Sequence, residues 1–202
     1  MPSKISICNQ ALLKLGANQI TDIDQEGTEA AICKAFYDDT LGTVLDEYPW
    51  TFATKRYELP KSAETPPKPF SAQYLIPSNI VRIIEASSDP NFEKTNTTHW
   101  VSEDGYIRSD SGSMFIRVIS NVTDPNKFTP GFVRAFVLRL ASEMCTAISH
   151  SRELQAQLMQ EYSVILERAV SADSQVGRPR RYRSDELIDV RIAGTSFAGP
   201  TV

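Results

Sequence analysis

Helical periodicity opens this chain and returns over residues 129–172 but stops between residues 50 and 127, and that interruption constrains the fold more than any other feature. In the first block, Ile5, Cys8, Leu12 and Leu15 recur at helical spacing. They predict a helix over Lys4–Leu15, with Ser3 as N-cap and Gly16 as its stop. After a polar connection, Ala17–Gly27, with Ile20 and Ile23 dipping back onto the core, a second helix is predicted over Thr28–Glu47. Its apolar stripe is Cys33, Phe36 or Tyr37, Leu41, Val44, Leu45 and Tyr48, and its solvent face carries Glu29, Asp38, Asp39, Asp46 and Glu47. Pro49 ends it, because the residue before a proline is pushed out of the helical region.

The character changes at Pro49-Trp50. Thr51–Leu59 alternates, with Ala53, Lys55, Tyr57 and Leu59 on one side, which predicts a strand. Four prolines between Pro60 and Pro69 mark a loop. Tyr74–Pro77, Ile80–Ala86 and Met114–Ile119 read as further short strands. Asp104-Gly105 sits between Trp100–Glu103 and Tyr106-Ile107 and predicts a hairpin, since the tight turn needs positive φ there.

Helical spacing returns at Thr129-Pro130, an N-cap followed by a proline at the first helical position. Val133, Val137, Leu140, Met144 and Ala147 or Ile148 form the stripe. Phe136, Leu138, Ala141 and Cys145 widen it, so this helix should be buried on more than one side. A break at Ser149–Ser151 leads to a fourth helix, about Arg152–Ala172, with Leu154, Leu158, Tyr162, Ile165 and Ala169 on one face.

The fold expected from this order is α+β: a four-helix bundle with an inserted small antiparallel β module and an extended C-terminal arm. The divisions are a helical hairpin at 1–49, a β-rich insert at 50–127, a helical pair at 128–172 and the arm at 173–202. Each helix pair alone would leave an apolar stripe in water, so the two pairs should pack together and the insert should loop out between them.

The chemistry available is sparse. Among 202 residues there are three cysteines, Cys8, Cys33 and Cys145, and two histidines, His99 and His150, with no metal-ligand spacing. No cofactor, metal or catalytic residue is expected. Asp38 and Asp39 are adjacent and so point about 100° apart on a helix, which suits a solvated face better than a carboxylate pair. Gly194–Pro200, with Ser196 at its centre, resembles the nucleophile motif of subtilisin-like proteases. His99, however, lies in Thr-His-Trp without the flanking glycine of that family, and only two residues follow Pro200. A small-residue tail is the expectation.

Charge narrows the partners. Hydrophobic residues make up 41% and charged residues 23%, so the chain can build a core. The net charge is -4, and Met1–Tyr48 alone holds eight acids against three lysines, which does not suit a protein that coats nucleic acid. No run of residues approaches a membrane span, and the N-terminus has no signal-peptide pattern, so synthesis in the cytoplasm is expected. The arm carries the cluster Arg178-Pro179-Arg180-Arg181-Tyr182-Arg183. Its five arginines against four acids make a weak phosphate binder, and docking to a protein surface is the favoured reading.

Several segments resemble the head-to-tail adaptor of short-tailed bacteriophages, the tail tubular protein A family. They are Ile5-Cys8-Asn9-Gln10-Ala11-Leu12-Leu15-Gly16, Tyr48–Ala53, Tyr74–Pro77, Phe115–Ile119, Asp124–Phe128 with Phe132-Val133, and the helical pair Ala135–Ala172. The resemblance covers about residues 3–175. It implies a non-enzymatic virion protein at the head-tail junction. Such a protein forms a dodecameric ring between the portal protein and the tail nozzle protein, extending the DNA channel without sequence-specific contact to DNA or any membrane. By the same resemblance the arm, with Arg178, Arg180, Arg181, Tyr182 and Arg183, reaches the portal. A head-completion or neck protein of a longer-tailed phage is the alternative within phage assembly. A DNA-binding packaging or regulatory factor using the arginine tail is the alternative outside it.

Overall fold

The computed structural model describes residues 2–92 and 98–176. Four helices and six strands follow in the order α1 (Lys4–Lys14), α2 (Thr28–Glu47), β1 (Thr54–Leu59), β2 (Ala72–Leu75), β3 (Ile80–Ser87), β4 (Trp100–Glu103), β5 (Tyr106–Ser109), β6 (Met114–Ser120), α3 (Pro130–Ile148) and α4 (Arg152–Ser174). The helix starts follow the capping chemistry of the sequence. Ser3, Thr129 and Ser151 each accept a hydrogen bond from the backbone N–H three residues on, satisfying a donor that the first turn would otherwise orphan. Tyr48 is extended, φ −146°, as the following proline requires.

The class is α+β, but the four-helix bundle expected from the periodicity does not form. A bundle needs four helices that each present one stripe to a shared axis. Here α3 is buried over most of its circumference: Phe132, Ala135, Phe136, Val137, Leu138, Leu140, Ala141, Met144 and Cys145 are all buried, and Arg134, Arg139, Glu143 and Thr146 are its more exposed polar positions. It therefore lies at the centre, with α1, α2 and α4 each packed against it, while α1 and α2 meet chiefly through side chains, Lys4 on Asp38 and Cys8 beside Cys33. The sector left open is filled from the β region. Ile119 and Val122 are buried in the helical core, and Val81 and Ile84 pack against it. The β region does not loop out; it completes the core.

The strands form two three-stranded antiparallel sheets, ordered β1-β6-β3 and β2-β5-β4. They share a second core of Leu59, Ala72, Tyr74, Ala86, Ile107, Met114, Ile116 and Val118. The first sheet thus has helices against part of one face and the second sheet against the other. In β3, register shifts between Ile80 and Arg82 and between Ile83 and Glu85 turn the usual period of two into three. As a result Ile80, Ile83 and Ala86 belong to the sheet-sheet core, while Val81 and Ile84 belong to the helical core. The expected hairpin is present as β4-β5, with Asp104 at φ 52° and Gly105 at φ 76°.

Several boundaries differ from expectation: β2 is Ala72–Leu75, two residues earlier than the expected Tyr74–Pro77. Thr51–Ala53 is a turn, closed by bonds from the Ala53 and Thr54 N–H groups to the Trp50 carbonyl at 3.0 and 2.9 Å, so β1 begins only at Thr54. At the other end α4 runs on to Ser174, past the predicted Ala172.

Candidate functional site

The last turn of α4 closes the described part of the chain, just before the segment that carries the arginine cluster in the sequence. Asp173 is buried there, 5% exposed. Its Oδ2 accepts from the Thr51 backbone N–H at 2.8 Å and from the Thr51 hydroxyl at 2.9 Å. This carboxylate caps the Thr51–Ala53 turn and ties the end of α4 to the joint between α2 and β1. Further back, the Tyr162 hydroxyl donates to the Glu47 carboxylate, and the Arg139 guanidinium lies over the Tyr162 ring, 5.7 Å from its centroid. Burial, reinforced by the bond to Glu47, pushes the Tyr162 hydroxyl well above its ordinary value, so it stays a donor at neutral pH. Lys14 reaches Glu161 at 3.3 Å and joins α1 to α4. The helix is thereby held by α1, α2, α3 and the turn before β1.

Replacing Asp173 by alanine removes two charge-assisted hydrogen bonds and leaves the Thr51 N–H without its acceptor. A loss of about 2 kcal/mol is expected. For a domain of this size that is a fall in Tm of roughly 4–8 °C, read by calorimetry. An unchanged Tm would mean that the end of α4 is not held this way.

The five residues proposed for partner contact, Arg178, Arg180, Arg181, Tyr182 and Arg183, lie outside the described residues, as does Ser196. The acids of α2 are placed as expected on its outer face: Asp38, Asp39, Asp46 and Glu47 are exposed and Glu29 is half-buried. Lys4 pairs with Asp38 at 3.2 Å and Arg82 with Asp46 at 3.1 Å. Such exposed pairs add little stability.

The remaining candidate groups are structural. Cys8, Cys33 and Cys145 are free and buried. A hydrogen bond with Cys33, and then burial, holds the Cys8 thiol far above its ordinary value, so it is no nucleophile at neutral pH. The exposed His99 ring stacks on Phe70 at 5.7 Å, and His150, at φ 53°, makes the turn between α3 and α4. Among the described residues no three His, Cys, Asp or Glu side chains gather as metal ligands, and no helix is long and apolar enough to cross a membrane.

Asp173, the first residue of the arm expected from the sequence, belongs to α4. A signal for it exists: Tyr162, Ile165, Ala169 and Asp173 continue one stripe at steps of three, four and four. A carboxylate at the last step breaks the apolar pattern, so the stripe reads as ended. The acceptor is needed because Thr51, more than a hundred residues earlier, turns instead of extending.

No protein-family model matches this chain, and no curated protein matches it.

Proposed function

We propose that the protein is a structural, non-enzymatic virion component, the head-to-tail adaptor of a short-tailed phage, working as a ring between portal and tail nozzle. The observation that carries this reading is the anchored end of α4. Asp173 on Thr51 and Tyr162 on Glu47 hold the launch point of the arginine-bearing segment on a body built around one central helix. The sequence resemblance supports the same assignment.

The physical consequences suit that role. The net charge is -4 and the acids of α2 face outward, so a ring of such subunits does not grip the DNA passing through it. A single arm carrying Arg178, Arg180, Arg181, Tyr182 and Arg183 can bind the portal weakly. Twelve arms fixed on one ring act together at high effective concentration.

The test mixes the purified full chain with the portal protein of the same phage and images the product by negative-stain electron microscopy. The expected product is a twelve-fold ring stacked on the portal. Monomers beside bare portals overturn the proposal, and salt-sensitive DNA binding under those conditions would favour a packaging or regulatory factor instead. A chain ending at Val176 should keep its helical core, read as the same far-ultraviolet circular dichroism per helix, and lose portal binding. If the shortened chain joins the portal as well as the full chain does, the arm has no part in docking.

A further inference from the structure

The two sheets are closed along one margin and open along the other. On the closed side, Lys61 bridges to Tyr74 and the Ser62 N–H donates to the Gln73 carbonyl at 2.9 Å, joining the end of β1 to β2. On the other side, Ser88 meets the Thr98 hydroxyl at 3.1 Å, but only at the far end of β3. Between these points lies a groove of about 400 Å³ bordered by Ile76, Ile80, Ile83, Trp100, Ser102 and Arg82. Ile76, Ile80, Ile83 and Trp100 pack against the sheet-sheet core yet are only half-buried. Among the described residues β3 pairs only with β6 and β4 only with β5, so both strands beside the groove present an outer backbone edge. An apolar trough flanked by two open edges has the shape that one further extended strand fills.

The chain carries a segment of that chemistry beyond Val176. In Glu186-Leu187-Ile188-Asp189-Val190-Arg191-Ile192 the β-branched residues Ile188, Val190 and Ile192 alternate with Asp189 and Arg191, the pattern of a strand with one buried face. It is the only such alternation after α4. Its tether also reaches. The end of α4 is held at Thr51, Thr54 pairs with Ile119, and the neighbouring Ser120 pairs with Ile80, so the launch point and the start of the groove lie at the same end of the first sheet. Crossing from β1 to β3 takes about 10 Å at the usual strand spacing. The intervening residues 177–186 can span up to roughly 33–36 Å.

We infer that residues 187–192 of this chain bind its own groove as a strand along the open edge of β3, with Ile188, Val190 and Ile192 covering Ile80, Ile83 and Trp100. Asp189 and Arg191 then stay in water. The tether sets an effective concentration on the order of millimolar, which favours the chain's own segment over that of a second copy at micromolar protein. The inference does not depend on the adaptor reading. It adds to it one feature: seating 187–192 holds both ends of the stretch containing Arg178–Arg183.

Hydrogen exchange tests this on three proteins: the full chain, the full chain with Val190→Asp, and a chain ending at Val176. Amides on the outer edges of β3 and β4 should exchange at least about tenfold more slowly in the full chain than in the other two, equally at low and high protein concentration. The α3 amides, unaffected in all three, report that the body is intact. Equal rates at β3 and β4 in the three proteins overturn the inference. Protection that grows with protein concentration also overturns it, and assigns the groove to a second copy.

Discussion

Replacing Trp50 by alanine is expected to cost about 3–5 kcal/mol, measured as a shift in the denaturant midpoint. Trp50 is fully buried where the helical block becomes the β block. Its indole N–H donates to the Val44 carbonyl at 2.9 Å, a group at the end of α2 that the helix itself leaves unbonded. Its ring meets Tyr48 edge-on at 5.3 Å and Phe132 edge-on at 5.0 Å, and Phe132 continues to Phe52, Phe128 and Phe136. Truncation therefore opens a cavity in an aromatic cluster, strips the Val44 carbonyl of its donor and loosens the turn that Asp173 caps. Domains are stable by only about 5–15 kcal/mol, so this one change removes a large share of the whole. Trp50→Phe should cost less, since it keeps most ring contacts and loses chiefly the bond to Val44. A loss below about 1 kcal/mol for Trp50→Ala would show that the joint is not organised by this residue.

The parts of the fold readable in the sequence are those decided locally. Ser3, Thr129 and Ser151 mark helix starts because a hydroxyl can reach its own helix's third N–H without help from the rest of the chain. Asp104-Gly105 marks its hairpin for the same reason: two residues at positive φ define the turn by themselves. What was not readable depends on distant residues. The bulges of β3 are set by pairing with β6, more than thirty residues away, and they send Ile80 and Val81 to different cores. The turn at Thr51–Ala53 relies on Asp173. The arrangement of helices relies on which element covers the second face of α3, and periodicity records only that the face is apolar, not what lies on it. The same logic applies at the candidate site. The arginine cluster is conspicuous as sequence, whereas the carboxylate that holds the segment's root looks like one more acid in a polar stretch.

The central position of α3 makes a prediction that a helix with a single buried stripe does not. Leu140 and Leu138 are 0% and 2% exposed, yet two residues along a helix they point about 200° apart. In a bundle with one buried stripe, Leu140→Asp would be ruinous and Leu138→Asp would be tolerated near the surface. With α1, α2 and α4 all packed on α3 and the first sheet closing the same core, both side chains are enclosed, Leu138 at the floor of a small groove bordered by Lys14, Arg134 and Glu161. An unpaired buried carboxylate must either shed its charge by taking up a proton or force the core open, and it leaves the displaced leucine's contacts unmade. Both variants should therefore lose more than about 4 kcal/mol and show no cooperative thermal transition, while Leu140→Met, which keeps volume and polarity, should cost less than about 1.5 kcal/mol. The comparison is made by circular dichroism melts of the three variants beside the parent chain. If Leu138→Asp melts like the parent while Leu140→Asp does not, α3 has one buried face and the central-helix arrangement is wrong. If both fail together, the second face is covered, and Ile119 of β6 and Val122 just beyond it belong to the same cooperative unit as the helices.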